Sequence, residues 1–152
     1  MRRDKINYYL DIAQTVAERS TCLRRQFGAI IVKNDSIIAT GYNGAPRGRK
    51  NCSDLGDCFR DRMNIPRGER YEMCRSLHAE ANAITKVAKS SNSSEGATLY
   101  VTSSPCIECA KLIIQSGIRR VVFCDDYHSS DGIELLRRVG IEVEKVTLPP
   151  AR

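Results

Sequence analysis

Alternating apolar and polar positions divide the first part of the chain into one helix and two strands. Apolar residues recur at helical spacing over 4–19, which predicts an amphipathic helix with one buried face. Two apolar runs follow at 27–32 and 36–42, and Lys33-Asn34-Asp35 separates them. Because Asn and Asp tolerate the left-handed backbone of a tight turn, this pattern predicts an antiparallel hairpin.

Regular elements return after residue 77. The pattern predicts helices over 78–89, 106–116 and 131–139 and strands over 97–103, 119–124 and 141–146. Helices between successive strands imply right-handed crossovers and parallel pairing. We therefore expect an α/β protein of three layers, α-β-α, on a five-stranded mixed sheet in which an antiparallel hairpin precedes parallel strands.

The segment 43–77 lacks this apolar pattern. It is rich in Gly, Pro, Arg and Asp, and it holds three of the seven cysteines of the chain. A loop of this length without secondary structure is unusual inside a compact domain. Cysteine-bound metal is the available means of ordering it. We predict a single domain over 1–152 with an irregular, cysteine-containing insert at about 43–77.

Composition narrows the class of protein. The 152 residues are 41% apolar, which suits one folded domain, and no apolar run is long enough to span a bilayer. Without an evident export signal, we expect a cytoplasmic protein with no membrane partner. The 24 Lys and Arg residues against 18 Asp and Glu give a net charge of +6. This charge favours anionic partners such as nucleotides, nucleic acids or phosphorylated metabolites.

The cysteines and one histidine motif indicate a metal site. An odd number of cysteines in a chain without an export signal favours metal binding over disulfides. The motif His78-Ala79-Glu80 precedes Pro105-Cys106-Ile107-Glu108-Cys109 by one predicted helix and one strand. One imidazole and two thiolates are good zinc ligands, and they leave the fourth tetrahedral position open for water. This arrangement is typical of a catalytic zinc site.

Both motifs lie at the starts of predicted helices, whose positive dipole ends favour ionised thiolates. Glu80 is the candidate proton carrier. Since residues two apart do not face each other on a regular helix, Glu80 reaches the site only if His78 lies at the helix entrance. The alternative is a closed structural site in which a further cysteine, such as Cys124, is the fourth ligand; otherwise Cys124 is a small buried core residue.

His-x-Glu with Pro-Cys-x-x-Cys is the signature of zinc-dependent nucleobase deaminases. The chain resembles the deoxycytidylate deaminase family, including its bacterial competence-operon type, over most of its length. Besides the zinc motifs, the resembling stretches are Phe27-Gly-Ala-Ile-Ile-Val32, Thr40-Gly-Tyr-Asn-Gly-Ala-Pro46, Asn51-Cys-Ser-Asp54, Cys109-Ala-Lys-Leu-Ile-Ile-Gln-Ser-Gly-Ile118 and Asp126-Tyr-His-Ser-Ser-Asp131.

The resemblance implies a cytidine deaminase-like fold and hydrolysis of dCMP to dUMP and ammonia, which supplies dUMP for thymidylate synthesis. The resemblance implies that His78, Cys106 and Cys109 hold the catalytic zinc. Glu80 moves a proton to N3 of cytosine and then to the departing amine.

Further residues are implied as substrate contacts. Asn43 is expected to bind the sugar hydroxyl and Tyr127 to close over the nucleotide, with Ala79 and Ser104 as additional contacts. For Asn43 the alternative is a turn residue with positive φ, and for Tyr127 a packed aromatic side chain at a strand end. His128 is either a further residue on the substrate side or an exposed loop residue.

A second constellation consists of Cys22, Cys52, Cys58 and Cys74. Cys22 and Cys52 fall where some family members hold a second, structural zinc. We expect a closed four-cysteine site that pins the insert against the start of the first strand. Free buried thiols are the alternative.

The resemblance also implies a homo-oligomer, commonly a hexamer, with dCTP and dTTP as effectors and Mg²⁺ accompanying dCTP. The candidates for binding the substrate phosphate are Arg24, Arg25, Arg47 and Arg49, among which the sequence does not choose. Other possible substrates are cytidine or cytosine, a tRNA adenosine and a riboflavin-pathway pyrimidine. A zinc-stabilised nucleic-acid-binding module without turnover is the alternative from another class, and it requires Glu80 to be incidental.

Overall fold

The computed structural model describes residues 2–66, 69–70, 73–127 and 129–147. His128 lies outside this part of the chain. The described elements run, in chain order, α1 (Lys5–Ala17), β1 (Gly28–Lys33), β2 (Ser36–Tyr42), α2 (Cys52–Leu55), α3 (Phe59–Arg62), α4 (Ala79–Ala88), β3 (Thr98–Ser103), α5 (Ile107–Gln115), β4 (Arg120–Asp125), α6 (Asp131–Arg138) and β5 (Glu142–Lys145). Among these helices, none combines the length and the apolar character needed to cross a bilayer.

The described strands form one mixed sheet in the order β2-β1-β3-β4-β5. β1 is antiparallel to both β2 and β3, whereas β3, β4 and β5 are parallel to one another. At the hairpin, Asn34 and Asp35 both have positive φ, at 51° and 61°. Two such residues in succession are typical of the tight turn that suits twisted strands. The predicted hairpin and the predicted mixed sheet are confirmed.

The interior strand β1 is buried on both faces, which is why its sequence is a continuous apolar run. Ile30 and Val32 pack on one face with Tyr9 and Leu10 of α1. On the other face, Ile31 belongs to a core cluster that also contains residues of α4, α5 and α6. One helix on one side of the sheet and three on the other make the predicted three layers.

Glycine lets α4 lie directly on the sheet. A Cβ atom at Gly41 of β2 would lie 2.3 Å from the carbonyl oxygen of Ala79 and 2.5 Å from the backbone nitrogen of Ala83. Backbone atoms at these distances leave no room for any side chain at this position. The first turn of α4 is therefore held against β2 by backbone packing.

The insert differs from the prediction, because it contains two one-turn helices, α2 and α3. At the start of α2, the backbone N–H of Asn51 donates to Oδ2 of Asp54 at 2.9 Å, and Gly56 ends the helix with φ 67°. Residues Gly44 and Leu77 join the ends of the insert through paired backbone hydrogen bonds of 3.2 and 2.7 Å. Four-residue helices are too short to produce a periodic pattern of apolar residues, so the sequence pattern could not predict α2 and α3. Capping interactions at the helix ends stabilise such short helices instead.

A buried arginine also orders the insert. The side chain of Arg60 is only 4% exposed, and its Nη2 donates to the carbonyl oxygens of Pro66 at 2.9 Å and Glu69 at 2.7 Å. These bonds fold the segment after α3 back onto the helix. Hydrogen bonds to a charged donor are stronger than neutral ones. The insert is thus ordered in part by its own polar contacts.

Candidate functional site

The site is built where α4 and α5 begin. His78 is the N-cap of α4 and has an extended backbone, with φ −71° and ψ 156°. Cys106 is the N-cap of α5, and its sulfur accepts a hydrogen bond from the backbone N–H of Cys109 at 3.5 Å. Nδ1 of His78 lies 3.3 Å from the sulfur of Cys109 and 3.5 Å from that of Cys106. The fold therefore brings the two sequence motifs together.

These three side chains fit a zinc ion. Their ligand atoms all lie within 4.8 Å of one another, and in the described part of the chain no other group of His, Cys, Asp or Glu residues meets this condition. Tetrahedral zinc at its usual bond lengths requires about 3.6 Å between a nitrogen and a sulfur ligand. The observed separations of 3.3 and 3.5 Å are close to that value. Cys124 does not belong to the group, which leaves a fourth position without a protein ligand among the described residues.

The two thiols differ in acidity. The hydrogen bond with Cys109 lowers the pKa of Cys106 to about 4. Burial opposes this decrease, and the hydrogen bond with His78 adds to it. The hydrogen bond with Cys106 and burial raise the pKa of Cys109. Without a metal the pair thus favours one thiolate, on Cys106. A divalent cation supplies the charge that a second thiolate needs.

Glu80 shares the cavity of His78. Its side chain is 6% exposed, and both residues line the same cavity. Burial raises the pKa of Glu80 to about 7, against the opposing effect of His78. Burial lowers the pKa of His78, but its hydrogen bond to Cys106 and the charge of Glu80 outweigh this, so that its pKa is raised. His78 lies at the helix entrance, which is the condition for Glu80 to reach the site.

Three of the four predicted substrate contacts, Asn43, Ser104 and Tyr127, line this cavity. Nδ2 of Asn43 donates to the carbonyl oxygen of Arg25 at 2.9 Å, and its Oδ1 accepts from the N–H of Phe27 at 3.0 Å. Asn43 is not among the residues with positive φ, so the alternative interpretation as a left-handed turn residue is wrong.

The other predicted contacts are placed differently. Oγ of Ser104 accepts a hydrogen bond from the backbone N–H of Tyr127 at 2.7 Å, which ties the segment after β4 to the end of β3. The predicted contact Ala79 is fully buried and is not among the cavity-lining residues. Its carbonyl oxygen faces β2 at Gly41.

The four cysteines of the predicted structural zinc site line the same cavity. Their positions in the sequence alone do not show this. They are Cys22, Cys52, Cys58 and Cys74. Burial raises the pKa of both Cys52 and Cys74, and the charge of Cys22 adds to the rise in each. All four are free thiols. No three of their sulfur atoms lie within 4.8 Å of one another.

Sequence reasoning missed several cavity residues. The candidates Arg24 and Arg25 line the cavity, whereas Arg47 and Arg49 do not. The residues that were not anticipated are Phe27, Phe59, Arg60, Arg75, Ser76, Val101 and Ser103. They come from four parts of the chain, the residue before β1, α3, the end of the insert and β3, so only their spatial arrangement identifies them as a group.

Helix α6 supports the metal-ligand loop from outside the cavity. A Cβ atom at Gly132 would lie 2.2 Å from the carbonyl oxygen of Pro105 and 2.8 Å from that of Cys106. The backbone of α6 therefore touches the backbone that presents Cys106. No side chain larger than hydrogen fits between them without a shift of one element.

Comparison with known proteins gives consistent matches. Residues 3–125 match the family described as "Cytidine and deoxycytidylate deaminase zinc-binding region". The deoxycytidylate deaminase of Enterobacteria phage T4 is 37% identical, over 93% of this chain and 90% of that protein. ComE operon protein 2 of Bacillus subtilis is 39% identical, over 93% of this chain and 70% of that protein.

A solved structure is similar in both sequence and fold. The crystal structure of dCMP deaminase from the cyanophage S-TIM5, in complex with dCMP and dUMP, superposes with a TM-score of 0.78. The two chains are 38% identical, and the match covers 96% of this chain and 99% of that one. The mixed sheet and its surrounding helices thus have a close counterpart.

The close packing at Gly132 gives a test of the support from α6. In most helices Ala is more stable than Gly by about 1 kcal/mol. Here we expect Gly132→Ala to lower the Tm by about 3–10 °C, because overpacking displaces Pro105 or Cys106. We also expect weaker zinc retention. Thermal unfolding and metal analysis after dialysis check both, with Arg137→Ala on the exposed face of α6 as the control. A Tm equal to or above that of the unmodified protein would contradict the packing argument.

Proposed function

The chain belongs to the cytidine and deoxycytidylate deaminase family, and we propose that it hydrolyses dCMP to dUMP and ammonia. The observation that carries this proposal is the arrangement at the starts of α4 and α5. His78, Cys106 and Cys109 meet at ligand distances, and the buried carboxyl group of Glu80 lines the cavity beside them. A three-ligand site with an adjacent proton carrier is typical of hydrolytic zinc enzymes and not of structural zinc sites.

In the proposed reaction, the oxygen of water forms a bond to C4 of cytosine and the bond from C4 to the exocyclic nitrogen breaks. Zinc, when bound by His78, Cys106 and Cys109, supplies a Lewis acid that makes hydroxide available near neutral pH. Glu80 accepts one proton of the attacking water and delivers it to N3, and then carries the second proton, from the new hydroxyl group on C4, to the departing amine. The amine leaves as ammonia, and no electrons are exchanged with a cofactor.

The walls of the cavity hold the nucleotide. The amide of Asn43 keeps one N–H and one acceptor position beyond its two bonds to the loop before β1, and we assign these to the sugar hydroxyl. Tyr127 is half-buried at the cavity edge and is suited to close over the base. Ser104 keeps its hydroxyl proton for the substrate, and Ala79 offers backbone atoms only.

Arg25 is the residue that we assign to the phosphate. Its guanidinium lies 5.0 Å from the ring centre of Phe27 and makes no ion pair or hydrogen bond within the described residues. The other cavity arginines have oxygen partners. Arg24 pairs with a carboxylate, and Arg60 and Arg75 donate to backbone carbonyl groups. A phosphate group would give Arg25 the acceptor that its neighbours already have.

We further propose that Cys22, Cys52, Cys58 and Cys74 hold a second, structural zinc. The support is that all four are free thiols that line the cavity, three of them in the insert and Cys22 in the loop before β1. Tetrahedral zinc with thiolate ligands requires about 3.8 Å between sulfur atoms. Binding would therefore draw the insert and the loop before β1 closer together.

Assembly and regulation are proposed from the family likeness. Leu77, Ile107 and Leu112 are large apolar side chains between 39% and 45% exposed, and they lie near the starts of α4 and α5 or along α5. A homo-oligomer, a hexamer by family likeness, would cover such side chains. We keep dCTP with Mg²⁺ and dTTP as candidate effectors. The seven free thiols are consistent with action in the reducing cytoplasm.

The proposed reaction is tested by ammonia release from dCMP. We expect turnover of dCMP in preference to CMP, deoxycytidine, tRNA adenosine and riboflavin-pathway pyrimidines. Glu80→Gln should lower kcat by at least about 100-fold, because the proton carrier is lost, while the zinc content stays unchanged. Glu108→Gln is the matched control, since Glu108 lies in the same metal motif but its side chain is 69% exposed. No ammonia from dCMP with zinc-loaded protein, dCTP and Mg²⁺ present, would overturn the proposal.

The assignment of the phosphate to Arg25 predicts a loss that depends on the substrate. Arg25→Ala should raise the KM for dCMP by about 10- to 100-fold, since a charge-assisted hydrogen bond is removed. Activity on deoxycytidine, which has no phosphate, should change little. Arg47→Ala is the control, because Arg47 is exposed outside the cavity. Equal losses for dCMP and deoxycytidine would assign Arg25 a structural role.

Metal analysis tests the second zinc. We expect about two zinc ions per chain in the unmodified protein and about one in Cys52→Ser, which removes a ligand of the structural site. Cys124→Ser is the matched control and should retain two zinc ions per chain. Cys124 lies elsewhere, where its sulfur accepts a hydrogen bond from Nε2 of Gln14 and donates one to the carbonyl oxygen of Thr102. One zinc per chain in the unmodified protein would remove the structural site.

A further inference from the structure

Ser103 has a buried hydroxyl group that makes no hydrogen bond with any of the described residues. The residue ends β3, is 5% exposed and lines the cavity shared by His78 and Glu80. Its Oγ has no hydrogen-bond partner anywhere in the part of the chain that the structure describes. Buried polar atoms are nearly always paired, so an unpaired one in a cavity wall requires an explanation.

The neighbouring hydroxyl groups show the contrast. Oγ1 of Thr102 accepts a hydrogen bond from the backbone N–H of Gly28 at 3.2 Å. Oγ of Ser104 accepts one from the backbone N–H of Tyr127 at 2.7 Å. Since successive side chains alternate along a strand, Val101 and Ser103 share the face that lines the cavity, and Thr102 faces the opposite side. Both neighbours therefore hold the structure together, whereas Ser103 does not.

An unpaired buried hydroxyl group is unfavourable in the ligand-free protein. The loss is recovered if a ligand supplies the partner. A serine hydroxyl both donates and accepts, which matches a pyrimidine base, because cytosine carries acceptor oxygen and nitrogen atoms together with a donor amino group, and uracil carries acceptor oxygens and a donor N–H. The position favours the ring over the phosphate, since β3 continues directly from Ser103 through Ser104 into Pro105 and Cys106.

We propose that the Ser103 hydroxyl group hydrogen-bonds the pyrimidine ring of the bound nucleotide and contributes to its affinity. This inference rests on the proposed function and adds a residue that neither motif contains. Ser103 is then a binding residue whose polar group lies buried in advance of the ligand. Such a residue lowers the stability of the free protein and raises its affinity for the nucleotide.

Ser103→Ala tests the proposal through two measurements, the KM for dCMP and the Tm of the ligand-free protein. We expect the KM for dCMP to rise about threefold to tenfold, the usual value of one neutral hydrogen bond, with kcat within about twofold. The Tm of the ligand-free protein should be unchanged or higher. Thr102→Val is the matched control on the opposite face. It should lower the Tm, because the N–H of Gly28 loses its acceptor, and leave the KM unchanged.

Binding of dUMP gives a readout that does not depend on turnover. The rise in Tm that dUMP induces should be smaller in Ser103→Ala than in the unmodified protein. An unchanged KM and an unchanged dUMP response would overturn the inference while leaving the proposed function intact. A lowered Tm in Ser103→Ala would assign Ser103 a structural role and overturn it as well.

If the unmodified protein releases no ammonia from dCMP but is stabilised by dUMP, the proposed reaction fails and the dUMP response alone decides the role of Ser103. If neither dCMP nor dUMP stabilises the unmodified protein, both proposals are overturned. The two failures are therefore distinguishable.

Discussion

The site depends on direct packing between backbones. At Gly41 the first turn of α4 lies on β2, and at Gly132 the first turn of α6 lies on the loop that presents Cys106. These contacts leave no side chain that could repack, so the starts of α4 and α5 keep a defined separation. That separation sets the distances between His78 and the two cysteines. Metal-ligand geometry is thus a consequence of how closely the helices approach the sheet and one another.

The same region concentrates polar groups that burial makes unfavourable. Glu80 has a raised pKa because it is buried, and hydrogen bonds with Cys109 and His78 lower the pKa of Cys106 against the effect of its burial. Ser103 adds a hydroxyl group that is unpaired within the described part of the chain. Each is costly for a folded protein without ligands. Their concentration in one cavity is typical of an active site whose ligands restore the missing interactions.

The insert contributes a second set of chemical groups to this cavity. The caps of α2, the backbone bridge between Gly44 and Leu77 and the bonds of Arg60 order the segment. As a result, Cys52, Cys58 and Cys74 of the insert line the same cavity as Cys22, Arg24 and Arg25 of the loop before β1. Arg60 both orders the insert and lines the cavity, which couples the stability of the insert to the shape of the cavity.

The sequence by itself determined the order of the main elements, the hairpin turn and the two metal motifs at helix starts, because each depends on residues close together in the chain. It indicated no helix in the insert, since four-residue helices have no period to detect. Only the tertiary structure decided that Arg25, and not Arg47, lines the cavity, and that Ser103 is unpaired. It also brought Gly132 against the metal loop. These properties depend on distances between segments far apart in sequence, and a local pattern carries no information about such distances.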